Sequence, residues 1–130
     1  MAEVRYFSKS GNTKMIAEAI AVAAGVGAKD IGEPVKAGTD ILFLGGAVYA
    51  FHIAGKLKKF IKTLPPQLSG KVAVFSTAGN PSGASHLIKK QLMKRGITPI
   101  EREFHCVGGL ASDETVQKQA ADFARDILGK

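Results

Sequence analysis

Apolar positions along the chain follow two patterns, one typical of strands and one typical of helices. A strand is predicted at residues 2–7, and nearly continuous apolar runs occur at residues 40–46 and 71–77. Runs of this kind are typical of strands that are buried on both faces of a parallel sheet. Two further strands, near residues 28–31 and 99–107, complete a set of five.

Between the strands, apolar residues recur about every 3.6 residues, which places them on one face of a helix. The pattern predicts helices at residues 13–24, 56–64, 84–95 and 113–128. Ser112 is the expected N-cap of the last helix. After the second strand, the stretch GEPVKAGT at residues 32–39 contains a proline and two glycines, which leaves no room for a full helix.

Five strands alternating with about four helices indicate a three-layer α/β domain built on a parallel sheet. The length of 130 residues fits a single domain over residues 1–130. Sheets of this class bind ligands beyond the carboxyl ends of their strands. We therefore expect a binding site in the loops at residues 8–13, 46–55 and 76–83.

Composition excludes several classes of protein. A hydrophobic content of 45% and a charged content of 22% are typical of soluble globular proteins. No apolar stretch approaches the roughly 20 residues of a membrane span, and MAEVRYF lacks the apolar core of an export signal, so we expect a cytoplasmic protein without a membrane partner. The single cysteine, Cys106, is expected to be a small core residue. His86 and His105 have no metal-site spacing, and no metal is predicted.

The first loop, within FSKSGNTK at residues 7–14, carries hydroxyl and amide side chains where a strand becomes a helix. Backbone N–H groups at a helix start have no intrahelical partner, so such a cluster indicates an anion, most often a phosphate. The loop has neither the triphosphate signature GxxxxGK[ST] nor the dinucleotide signature GxGxxG. It fits one phosphate monoester, although a helix cap followed by a turn is an alternative. The candidate ligands are Ser8, Ser10, Gly11, Asn12 and Thr13.

The segment SKSGNT resembles the phosphate loop [ST]-x-[ST]-G-N-T of flavodoxins and follows the first strand as it does there. The order of elements along nearly all of the chain is also similar to that of short-chain flavodoxins. The resemblance implies a flavodoxin-like fold with a five-stranded parallel sheet of order 2-1-3-4-5. The residues at 32–39 predict that the helix after strand 2 is short or absent in this chain. It also implies that flavin mononucleotide (FMN) is the cofactor, and that Lys9 adds its backbone to the phosphate ligands.

The resemblance assigns the other two loops to the flavin ring. After the third strand, flavodoxins place an aromatic residue against the isoalloxazine, where stacking excludes water. The candidates in this loop are Ala47, Val48, Tyr49, Ala50 and Phe51, with Tyr49 at the stacking position and Phe51 as a second choice. Covering of a strand end is the alternative role for both aromatics. In the third loop, the candidates for the pyrimidine end are Ser76, Thr77, Ala78, Gly79 and Asn80.

The chain departs from flavodoxins in its charge. The net charge is +7 and the isoelectric point about 9.7, whereas flavodoxins are usually acidic. No acidic residue occurs between Asp40 and Glu101. We expect a basic face on the helices at 56–64 and 84–95. This face is either ordinary solvated helix surface or a surface that attracts an acidic redox partner protein.

These observations favour an FMN-binding electron-transfer protein, with no residue assigned a catalytic role. An alternative is a small FMN-dependent NAD(P)H:quinone-type reductase, because the third loop lacks the second aromatic of typical flavodoxins and leaves room for a substrate. A nucleic-acid-binding module ranks last, since the basic helices have no interleaved aromatic residues.

Overall fold

The computed structural model of the protein describes residues 1–49, 52–78 and 84–130, with the side chain of Tyr49 excepted. Its strands are β1 (Ala2–Tyr6), β2 (Ala28–Asp30), β3 (Ile41–Tyr49), β4 (His52–Ile53), β5 (Val72–Ala78) and β6 (Phe104–Val107). Its helices are α1 (Asn12–Ala24), α2 (Gly55–Thr63), α3 (Ser85–Lys94) and α4 (Glu114–Leu128). Two short 3-10 turns lie at Pro66–Leu68 and Gly108–Leu110.

The strands form one sheet in the order β2-β1-β3-β5-β6, and every pair along this path is parallel. When these five strands are numbered consecutively, the order is the predicted 2-1-3-4-5. Residues 31–40, all of which the structure describes, contain turns and no helix, which confirms that the helix after the second strand is absent.

The extra strand β4 was not predicted. It pairs antiparallel with the end of β3, with Val48 opposite Ile53 and Tyr49 opposite His52. A strand of two residues is too short to show a periodic pattern. β3 itself continues beyond the predicted end at residue 46, because Ala47 still pairs with Thr77 of β5 and the two following residues pair with β4. The predicted second loop is thus partly a short hairpin.

Two predicted boundaries were wrong. The N-cap of α4 is Asp113 rather than Ser112: its carboxylate accepts hydrogen bonds from the backbone N–H of Thr115 (2.8 Å) and Val116 (3.2 Å). Both residue types are good caps, so the sequence alone could not separate them. The last strand begins at Phe104 instead of Pro99, since pairing with β5 starts only where Phe104 lies opposite Phe75.

The sheet buries one hydrophobic cluster on each face, because alternate residues of a strand point to opposite sides. One cluster packs against α1 and α4 and includes Val4, Tyr6, Phe43, Phe75 and Phe123. The other packs against α2 and α3 and includes Leu42, Leu44, Val74, Leu57 and Ile88. With both faces covered, chemistry is confined to the ends of the strands.

A buried ion pair lies on β1, beneath the loop that replaces a helix after β2. The guanidinium Nη1 of Arg5 is 2.8 Å from Oε2 of Glu3, and their side chains are 1% and 8% exposed. Arg5 also donates to the carbonyl oxygens of Glu33 (2.9 Å) and Pro34 (2.8 Å). The other carboxylate oxygen, Oε1 of Glu3, is buried without a hydrogen-bond partner in the described part of the chain. Arg5 therefore attaches the loop to the sheet.

We expect Arg5→Ala to lower the free energy of unfolding by about 3–5 kcal/mol, because it leaves the Glu3 carboxylate buried and unpaired. The double variant Glu3→Leu/Arg5→Met should regain most of this loss, since no buried charge remains. Urea unfolding followed by circular dichroism measures both. A loss below about 1 kcal/mol in the single variant would show that the pair does not hold the loop.

Candidate functional site

The loops at the carboxyl edge of the sheet enclose a cavity of about 260 Å³. Its lining residues are Ser10, Asn12, Ala47, Val48, Thr77, Ala78, Val107, Gly108 and Gly109. Six of these residues belong to the three loops, at 8–13, 46–55 and 76–83, in which we predicted a binding site from the sequence. None of the nine lining side chains is charged, so an anion bound here would be met by neutral donors.

Three larger cavities lie elsewhere. Two of them, of about 440 and 510 Å³, lie along the loop at 31–40, and one of about 310 Å³ is lined by residues of α1 and α4. None of the three is lined by residues of the loop after β1. The cavity of about 260 Å³ is the better candidate, since it alone among these four combines the carboxyl edge of the sheet with the start of a helix.

The loop after β1 turns sharply into α1 through Gly11, which has a φ of +93°. This left-handed conformation favours glycine, which has no Cβ. The hydroxyl of Ser8 accepts a hydrogen bond from the N–H of Gly11 (3.0 Å), and the first helical bond runs from the N–H of Met15 to the carbonyl of Gly11 (3.0 Å). The N–H groups of Thr13 and Lys14 therefore have no acceptor within the helix.

Thr13 connects the loop after β1 to the end of β5. Its side chain is buried, and its Oγ1 lies 2.7 Å from Oγ1 of Thr77. The hydroxyl of Ser8 is likewise used within its own loop, but it keeps its O–H as a donor. Ser10 and Asn12 line the cavity directly, while Lys9 is exposed beside them. The predicted phosphate ligands thus divide into residues that shape the loop and residues that face the cavity.

The predicted ring-binding residues also divide. Ala47, Val48, Thr77 and Ala78 line the cavity, whereas Ser76 does not. Tyr49 lies at the end of β3, and its side chain falls outside the description. The remaining four candidates lie outside the described residues: Ala50, Phe51, Gly79 and Asn80.

Ser76 belongs to a buried polar network on the other face of β5. Its hydroxyl lies 2.9 Å from Oγ of Ser85 and 2.9 Å from Nδ1 of His105. Glu103 extends this network through a hydrogen bond from Ser85, and it also accepts one from Nζ of Lys89 (2.8 Å). Partial burial opposes ionisation of Glu103, but the hydrogen bonds from Lys89 and Ser85 outweigh it and lower the pKa of this carboxyl. The network links β5, β6 and α3 below the site.

Sequence reasoning missed the loop between β6 and α4. Val107, Gly108 and Gly109 complete the cavity, and a Cβ on Gly108 would lie only 3.0 Å from Nδ2 of Asn12. Gly108 therefore lets the Asn12 side chain approach this backbone. Val107 and Leu110, at 41% and 51% exposed, add apolar surface at the same edge. The available signal was the glycine pair directly after the last strand.

Cys106 contributes no nucleophile to this site. It is buried in the cluster against α1 and α4, and burial raises the pKa of its thiol. The thiolate is therefore disfavoured.

The fold and the cavity together define a class of protein: a doubly wound α/β domain with a candidate ligand site at the carboxyl edge of its parallel sheet, beside the start of the first helix. Within that class, the chain belongs to the flavodoxin family, because the family model of the flavodoxin domain matches residues 4–123. No curated protein matches the sequence at a significant level.

Solved flavodoxin structures share this fold over their whole length. A flavodoxin from the domain Archaea is 22% identical, with a TM-score of 0.80 over 98% of this chain and 96% of that one. Flavodoxin 2 from Bacillus cereus is 21% identical, with a TM-score of 0.74 over 98% and 97%. Two-electron reduced Megasphaera elsdenii flavodoxin is 25% identical, with a TM-score of 0.72 over 97% and 99%. In the described parts of this chain, no helix is long and apolar enough to cross a bilayer.

We expect Thr13→Val to cost about 1–3 kcal/mol of stability, because it leaves the buried hydroxyl of Thr77 without its partner. The double variant Thr13→Val/Thr77→Val should recover much of this loss, since both polar groups are removed. A double-mutant cycle in urea measures the coupling. Strictly additive losses would show that the two hydroxyls do not stabilise each other.

The lowered pKa of Glu103 predicts an acid-dependent contribution to stability. The stabilisation is present above the ordinary pKa of 4.5 and is lost as the pH falls through the lower folded value. Below pH 4.5, the unfolding free energy of Glu103→Gln should therefore decline less steeply than that of the unsubstituted protein. The difference between the two declines should be less than about 1 kcal/mol, because the Glu103–Lys89 pair is partly exposed. Urea unfolding between pH 3 and 6 measures this, with Glu101→Gln as the control. An unchanged decline in Glu103→Gln would contradict the assignment.

Proposed function

We propose that the protein binds FMN in the cavity at the start of α1 and carries electrons between other redox proteins. The observation that supports this best is the convergence of the SKSGNT loop, the ends of β3 and β5 and Gly108 on one uncharged cavity. The flavin, when bound, supplies the redox chemistry, and the protein supplies binding and orientation.

The phosphate would be held at the amino end of α1. The donors are the hydroxyl of Ser10, the amide of Asn12 and the helix N–H groups of Thr13 and Lys14. Hydrogen bonds to a charged group contribute about 1.5–3 kcal/mol each, and the helix dipole adds to them. Neutral donors can therefore hold a dianion although no charged side chain lines the cavity.

The ring would lie against the apolar part of the same edge. Ala47, Val48 and Ala78 line the cavity, and Val107 and Leu110 expose apolar surface beside it. Such surface excludes water from a flat aromatic ligand. The stacking role of Tyr49 remains part of the proposal and rests on its position at the end of β3.

A carrier fits this site better than an enzyme that uses acid–base or covalent catalysis. None of the residues that line the cavity has an acidic, basic or thiol side chain, so the described part of the site offers no general acid, general base or nucleophile. Electron transfer requires none of these groups, because the cofactor carries the chemistry.

The test is a fluorescence titration of the protein with FMN, with riboflavin as the ligand that lacks phosphate. We expect FMN to bind much more tightly than riboflavin. Ser10→Ala and Asn12→Ala should each weaken FMN about tenfold or more and leave riboflavin unchanged, because each removes a donor to the phosphate. Ser69→Ala, at the opposite edge of the sheet, is the matched control.

Two results would overturn the proposal. If FMN and riboflavin bind equally, the loop after β1 does not recognise phosphate. If neither binds, the loop serves only to begin α1.

A further inference from the structure

A second groove adjoins the β3–β4 hairpin, which it shares with the candidate flavin site. It has a volume of about 210 Å³ and is bounded by β4, α2 and α3. Its polar lining consists of His52, Lys58, Lys90, Gln91 and Lys94, and we call it the lysine groove. Ile53 and Leu87 supply its apolar lining. Three ammonium groups and an imidazole therefore converge on one concave surface.

The positive charge of this groove is not compensated within the chain. The sequence between Asp40 and Glu101 has no acidic residue. On α3, Lys89 pairs with Glu103 at 2.8 Å, but the ion pairs among the described residues include none of the three groove lysines. Lys90 and Lys94, four residues apart on one helix, repel each other. An anion in the groove would relieve this repulsion.

The groove and the candidate flavin site share one hairpin. Val48 lines the site cavity, and Ile53, directly opposite it in the ladder, lines the groove. His52, another groove residue, lies opposite Tyr49. Neighbouring strands are only about 4.8 Å apart. A molecule bound in the groove therefore lies beside the flavin site.

We propose that the lysine groove docks an acidic surface of a partner protein, whose Asp and Glu carboxylates pair with Lys58, Lys90 and Lys94. This inference rests on the proposed function, because its position beside the flavin site is what gives such docking a role in electron transfer. The amide of Gln91 adds a hydrogen-bond donor for the partner's carboxylates. Met93, which is 64% exposed on the same helix, offers an apolar contact to the partner.

A protein partner fits this surface better than a nucleic acid. Binding of single strands relies on exposed aromatic side chains on which bases stack. The one aromatic residue of α2 is Phe60, which is 7% exposed, and α3 contains only His86 as a ring-bearing residue. Among the described groove residues, only the His52 ring offers a flat surface to a base, whereas three lysines can pair with carboxylates.

The test is a titration of ¹⁵N-labelled protein with an octaglutamate peptide at low ionic strength, followed by amide chemical shifts. We expect the shifts to lie in β4, α2 and α3, around the lysine groove. The variant Lys58→Gln/Lys90→Gln/Lys94→Gln should weaken peptide binding about tenfold, since exposed ion pairs each contribute a small amount. Added salt should weaken binding to the unsubstituted protein, because it screens exposed charges.

The matched control is Lys29→Gln/Lys71→Gln/Lys130→Gln. These three lysines are exposed outside the lysine groove, and their substitution lowers the net charge of +7 by the same three units. It should weaken binding clearly less than the groove variant does, because it removes only long-range attraction and no direct ion pair with the peptide. Equal weakening by both triple variants, or shifts away from the groove, would overturn the proposal.

A parallel titration with the oligonucleotide dT8 tests the other class of partner. Tighter binding of dT8 than of the peptide at the same groove residues would also overturn the proposal. All titrations are made without FMN and repeated with FMN, so that a failure of flavin binding leaves the result on the groove intact.

Discussion

Parallel pairing of β1, β3, β5 and β6 is the constraint on which the site depends. It brings the carboxyl ends of these strands to one edge, so the loops that follow them meet although they are far apart in sequence. Asn12, Val48, Thr77 and Gly108 line the same cavity for this reason. The buried contact between the hydroxyls of Thr13 and Thr77 joins the start of α1 directly to the end of β5.

Strand alternation decides what each residue at that edge can do. Thr77 lines the cavity and contacts α1, whereas Ser76, one residue earlier, contacts Ser85 and His105 on the opposite face. The edge therefore has an uncharged cavity on one side and a hydrogen-bonded network on the other. The lysine groove adds a positively charged surface beyond the β3–β4 hairpin. Uncharged cavity and charged surface have different roles in the proposal: the first binds the cofactor and the second binds the partner.

Periodic patterns were sufficient to predict the four helices, the proline and glycines at residues 32–39 predicted the missing helix after β2, and the resemblance to flavodoxins predicted the strand order. Features that depend on contacts between distant residues could not be predicted in this way. The two residues of β4 show no pattern, and the choice of Asp113 over Ser112 as a cap depends on geometry. The cavity could be predicted only in part, because the approach of Gly108 to Asn12 is a contact across the sheet edge. That Ser76 lies outside the cavity follows from the strand register, which no short motif reveals.

The central claim is that FMN binds with its phosphate at the amino end of α1. A map of amide chemical shifts in ¹⁵N-labelled protein, recorded as FMN is added, tests this most directly. The account predicts large shifts at residues 10–14 and 108–109 and at the ends of β3 and β5, with those at residues 10–14 much reduced when riboflavin replaces FMN. Shifts centred elsewhere, or the same shifts at residues 10–14 with riboflavin, would contradict it.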